Sequence, residues 1–112
     1  MKGSTQIYRP DGTVDIQDWT TDPPLKFLQD AVGGYIEAVP FFNQLAGIHG
    51  PQRAVAYCNE EGKLQGLPVN VHATIITGVP IDPNDLLVGN VVVVTGDHEF
   101  MHLHIEGPDP EE

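Results

Sequence analysis

Five consecutive residues, His98-Glu99-Phe100-Met101-His102, carry the sharpest chemical spacing in the chain. Two histidines one helical turn apart can bind zinc, and the glutamate between them can serve as general base in a metalloprotease. That chemistry needs a helix, so that both imidazoles share a face. The surrounding pattern reads otherwise. Glu99, Met101, Leu103 and Ile105 alternate with His98, Phe100, His102 and His104, and Met101, Leu103 and Ile105 would make a buried strand face. The expectation is a strand over Phe100–Ile105 and no protease. On that strand His102, His104 and Glu106 would share a face, a weaker metal-binding alternative set against a plain solvent-facing stripe.

A second polar group is spread over Tyr35, Glu37, Asn59, Glu60, Glu61, Lys63 and Asn70. Glu37 interrupts an otherwise apolar run, so its carboxylate either faces water or sits in a pocket. Asn59 and Asn70 flank a turn and a Leu-Pro step. An asparagine amide can hold neighbouring backbone or read a ligand with both a donor and an acceptor. Arg53 and Lys63 could form a local basic spot. Cys58 beside Tyr57 in an apolar run reads as a buried, inert thiol. There is no glycine-rich phosphate loop and no Ser-His-Asp spacing, so no catalytic residue and no cofactor is expected.

The elements that must position these residues follow from pattern and punctuation. Asp11-Gly12 between Thr5–Tyr8 and Val14–Trp19 predicts an N-terminal hairpin within residues 1–19. Thr20–Gly34 reads as a helix, with Thr21 or Asp22 as cap, Pro23 in the first turn and Gly33-Gly34 as terminator. Tyr35–Val39 reads as a strand with Tyr35, Glu37 and Val39 on one face, closed by Pro40. A loop over Phe41–Gln52, a strand over Ala54–Cys58 and a turn at Asn59–Gly62 follow, with Gly62 free to take positive φ. His72–Thr77 reads as a strand, Val79–Asn84 as a loop, and Leu86–Thr95 as a strand buried on both faces, with a bulge or close approach at Gly89. Gly107–Glu112 is an acidic, mobile tail. The sum is one α+β domain over residues 1–112: a small mixed or antiparallel sheet of about five or six strands with one packed helix.

The 112 residues suit one domain with its own core. A formal charge of −11 repels nucleic acid and anionic membranes, so direct nucleic-acid binding is not expected. One cysteine excludes an internal disulfide and is compatible with cytoplasm. No stretch reads as a membrane span or a signal peptide.

The segments LQDAVGGYIEAVP (Leu28–Pro40), AYCNEEGKLQGLPVN (Ala56–Asn70) and LVGNVVVVTGD (Leu87–Asp97), in that order, resemble a family of small proteins of unknown function common in bacteriophages and mobile elements. From first to last they span residues 28–97, about two thirds of the chain. The family pattern takes in Glu37, Asn59, Glu60, Gly62, Leu67, Asn70 and Gly89 and supplies no catalytic residues. The resemblance implies a counter-defence protein that acts by binding in the host cytoplasm. The first expectation is a homo-oligomeric sponge for a nucleotide-derived immune signal, with the ligand near Tyr35, Glu37, Asn59, Glu60, Lys63, Asn70 and Arg53. The alternatives are an acidic decoy for a host DNA-handling protein and a metal-dependent hydrolase using the C-terminal histidines.

Overall fold

The computed structural model describes residues 1–48, 50–79 and 85–108. Its centre is an antiparallel sheet formed by β1 (Gly3–Tyr8), β2 (Val14–Trp19), β3 (Ile36–Ala38), β4 (Gln44–Gly47), β5 (Gly50–Asn59) and β6 (Val91–Gly96). The strands lie in the order β2-β1-β6-β5-β3, and β4 also pairs with β5. Among the described residues three helices complete the fold: α1 (Leu25–Val32), α2 (Val71–Ile76) and α3 (His98–Glu106). The α+β class holds, with three helices where the sequence suggested one.

Four valines explain the layering. Val91, Val92, Val93 and Val94 are all fully buried, because β6 is central and covered on both faces. Val91 and Val93 pack with Tyr8, Ala54, Ala56, Phe42 and Leu87, and with Ala73 of α2. Val92 and Val94 pack with Leu28 and Val32 of α1 and with Phe100 and Met101 of α3. One helix therefore shields one face of the sheet and two shield the other. No helix among the described residues is long and apolar enough to cross a membrane.

The N-terminal hairpin forms as expected. The Asp11 carboxylate accepts from the Thr13 amide at 2.9 Å, and Gly12 takes φ 91°. Helix α1 ends at Gly33 in the left-handed region, whose amide donates to Gln29 at 2.8 Å. Its start is later than expected: Pro24 holds the cap position without a side-chain hydrogen bond. Thr21 and Asp22 lie outside the helix, and Asp22 is engaged elsewhere.

Two expected strands are helices. Over 71–76 the Asn70 side chain caps the first turn, accepting from the Ala73 amide at 3.1 Å. Over 98–106 Asp97 does the same for Phe100 at 2.9 Å. The apolar residues near the C-terminus fit both periods, but consecutive Phe100 and Met101 are buried in the same cluster, which a helix permits and the alternating faces of a strand do not. Capping decides the outcome, since the N-cap carboxylate or amide satisfies an amide that a strand would pair elsewhere. Phe100 also needs a flat floor. A Cβ on Gly3 would sit 2.2 Å from its ring, and one on Gly96 would sit 2.6 Å away.

The expected 41–52 loop contains β4, and β5 is longer than expected. The central strand begins only at Val91, because Gly89 turns the chain at φ 71°. A Cβ there would meet Leu67 at 2.8 Å, the close approach the sequence suggested. Gly62 does not use positive φ; Gly66 does, at 67°. Gly62 is held by space instead, since a Cβ would lie 2.8 Å from Val88. Of the expected tail, residues 109–112 lie outside the described residues, as do 80–84 of the expected Val79–Asn84 loop.

Candidate functional site

Strands β3 and β4 are two parts of one interrupted edge. Ile36 pairs with Asn59 and Ala38 with Tyr57, whereas Gln44 pairs with Arg53. The register slips by two residues between them, and the extra length is expelled as a bulge at Pro40–Phe42. Phe42 turns inward and is buried. Phe41 turns outward, with 103% relative exposure and φ 64°, the one positive φ among the described non-glycine residues. A phenylalanine in that region carries backbone strain, which the bulge imposes.

Beside this bulge lies a groove of ≈ 570 Å³ on the α2 side of the sheet. Its floor is formed by Val39, Cys58 and Leu87, its far wall by Thr77–Val79 and Leu86–Val88, and its mouth by Phe41 and Leu64. Leu64 is 89% exposed on the turn after β5. Charged side chains ring the opening: Glu37, Glu60 and Asp85 against Lys63. The size matches ordinary ligand sites, and so does the apolar floor with few polar groups.

The turn that carries Leu64 is locked by Asn59. Its Oδ1 accepts from the Glu61 amide at 2.8 Å, and its Nδ2 donates to the Val32 carbonyl at 3.2 Å. Gly34 makes room, because a Cβ there would stand 2.9 Å from that amide nitrogen. The tie between the VGG segment and the NEEGKL segment is thus an asparagine threaded beneath the end of α1.

Four of the expected ligand-binding residues meet at the groove: Glu37, Asn59, Glu60 and Lys63. Asn59 is buried there as scaffold. The other three stand apart from it. Tyr35 is largely exposed over a shallow depression with Gln29, Asp30, Gly33 and Gly34, and its carbonyl accepts from the Glu60 amide at 2.9 Å. Asn70 is fully buried, with Nδ2 donating to the carbonyls of Tyr8 at 2.8 Å and Gly89 at 2.9 Å. Arg53 lies six residues along β5 from Asn59, about 20 Å at strand rise, with Nη2 3.8 Å from Glu106. Arg53 and Lys63 therefore form no common basic spot.

Cys58 is half-buried rather than buried, and it lines the groove. Burial pushes its thiol pKa up, and the charge of Glu37 adds to that; Lys63 and a backbone hydrogen bond pull more weakly the other way. The thiol therefore stays protonated at neutral pH and is a weak nucleophile. Phe41 and Leu64 were missed by sequence reasoning. The Pro40-Phe41-Phe42 step was the available signal, since two adjacent aromatics cannot both turn inward at an edge.

The histidine run lies on a helix after all. His98 and His102 occupy one face of α3, with ring centroids 6.2 Å apart. The objection from strand context falls. What weighs against zinc is the donor set, because no three His, Cys, Asp or Glu among the described residues are placed to hold a metal ion. The alternative trio is split by helical geometry. His102 Nδ1 lies 2.8 Å from Glu106. His104 turns to the sheet, with Nδ1 2.6 Å from Asp22 and Nε2 2.9 Å from the Tyr57 hydroxyl.

A family model for a domain of unknown function, DUF3846, matches residues 4–106. The chain belongs to that family. Among the described residues the match takes in all six strands apart from Gly3 and all three helices, and it includes every groove residue named above. Neither a curated protein nor a solved structure matches this DUF3846 chain.

Proposed function

We propose that this protein acts by sequestration, holding a ligand or partner in the groove beside Phe41 without transforming it. The observation that carries this reading is Phe41 itself: a large aromatic, fully exposed and in a strained backbone conformation, at the mouth of an apolar groove. Strain of that kind is retained where it serves a role, and an exposed aromatic is a ready surface for a planar or apolar group. The one thiol among the described residues lining the groove is held protonated, which fits binding better than nucleophilic chemistry.

The role extends to counter-defence of the phage type, through the three segments of the resemblance. A nucleotide-derived ligand could stack its base on Phe41. Its phosphates would meet Glu37, Glu60 and Asp85 with Lys63 as the lining cation, so ligands of low negative charge fit better than polyphosphates.

Cys58 makes the reading measurable. Its alkylation rate should fall when the groove is occupied. Nucleosides, cyclic dinucleotides and ADP-ribose derivatives are titrated by calorimetry, and alkylation of Cys58 is followed in parallel. Binding that slows alkylation, and that is lost in Phe41→Gly, supports sequestration at this site. Full-rate alkylation with every compound and with every selected peptide described below would refute it.

A further inference from the structure

We infer that the occupant of the groove is a protein segment with an apolar or aromatic anchor flanked by lysine or arginine. This rests on the groove being a binding site, and it names the partner. One observation separates a protein segment from a small molecule. Phe41 and Leu64, at 103% and 89% relative exposure, protrude beyond the walls they stand on, so a ligand confined to the groove would leave most of both in water. A chain lying across the mouth would cover both while inserting one side chain toward Val39 and Leu87. Interface energy concentrates in such apolar anchors, surrounded by contacts that exclude water.

The sign of the flanking charge follows from the rim. Glu37, Glu60 and Asp85 are exposed there, with Lys63 opposing them, and the chain as a whole carries −11. The long-range field and the local rim agree, so a cationic segment is steered in and then held by short-range pairs. An acidic or phosphate-rich ligand would meet repulsion at both ranges.

The test is selection from a displayed library of random short peptides on the intact protein, with counter-selection on the double variant Phe41→Gly/Leu64→Ser. Both replaced side chains are exposed, so this variant should fold, and circular dichroism checks that it does. The expected winners carry an aromatic or aliphatic anchor between basic residues. Their affinity should drop at least about tenfold in the double variant, and a comparable amount in Glu37→Gln/Glu60→Gln/Asp85→Asn. Raising salt from about 0.05 to 0.5 M should weaken binding to the wild type more steeply than binding to the neutralised triple variant, which keeps only the long-range field. Winners should also slow Cys58 alkylation. Acidic or neutral winners, binding indifferent to Phe41 and Leu64, or no enrichment would each overturn the inference. If a small molecule still protects Cys58 in that case, the groove reading survives without it.

Discussion

Replacing Phe41 with glycine should leave the fold as stable as before or slightly more so, while replacing its neighbour Phe42 should cripple it. The ring of Phe41 has full exposure, so its removal forfeits almost no burial. Its φ of 64° is left-handed, which costs an ordinary residue about 1–2 kcal/mol and glycine essentially nothing. Glycine's extra freedom in the unfolded chain takes back about 0.5–1 kcal/mol. The net effect runs from roughly zero to 1.5 kcal/mol of stabilisation, or up to about 6 °C in melting temperature for a domain of this size. Phe42 is buried against Val39, Ala54 and Leu87, and Phe42→Ala should cost about 3–5 kcal/mol through lost contacts and a cavity. Urea unfolding of the two variants, fitted with a common slope, gives the comparison directly. A loss above about 2 kcal/mol in Phe41→Gly would mean that the ring is packed in solution, and both the groove mouth and the partner argument would fail.

Other expectations follow from the same geometry. Asn70→Ala removes a helix cap and strands the carbonyls of Tyr8 and Gly89; about 3 kcal/mol should be lost in urea unfolding. Alkylation of Cys58 at neutral pH should be slower than that of an unstructured cysteine peptide. Glu37→Gln should speed it, because removing that charge lowers the thiol pKa and raises the thiolate fraction. The Asp97 carboxyl is held below its ordinary 3.8 by the amides of Phe100 and Lys2. A depressed folded pKa gives stability that is present above the unfolded value and lost as pH falls through the folded one. Acid titration of α3 helicity should therefore show a loss beginning near pH 4 that Asp97→Asn flattens.

Much of the fold was legible because local punctuation and burial agreed. Asp11-Gly12 and Gly33 made their turns, and the valine run found the sheet's centre. Where they conflicted, short segments misled. His72–Thr77 and Phe100–Ile105 have too few residues to separate a period of 2 from one of 3.6. Asn70 and Asp97, the caps that settle the matter, look in sequence like any polar residue in a turn. The groove was half legible: Glu37 stood out as charge in an apolar run, and Glu60 and Lys63 as part of the polar turn that follows β5. Phe41 and Leu64 did not, since hydrophobicity alone says inside and only the two-residue register slip sends Phe41 out. Asn59 and Asn70 were recognised as special for amide chemistry, and that chemistry is spent inward on the backbone.

The sheet order has a consequence for how this molecule comes into being. Strand β1 sits between β2 and β6, with Gly3 opposite Gly96. The middle of the sheet thus joins its first strand to its last. Until β6 leaves the ribosome, the β1–β2 hairpin is an isolated pair and β5 lacks its inner neighbour, and two-stranded units of that kind are marginal in water. The groove wall at Leu86–Val88 is tied through Leu87 to Asn70 and Thr74, but the core it packs on, with Val91 and Val93, arrives only with β6. Folding should be a single late event with slow, contact-order-limited kinetics. A chain stalled short of residue 91 should be captured by proteases as an unfolded polypeptide, with no partial binding activity.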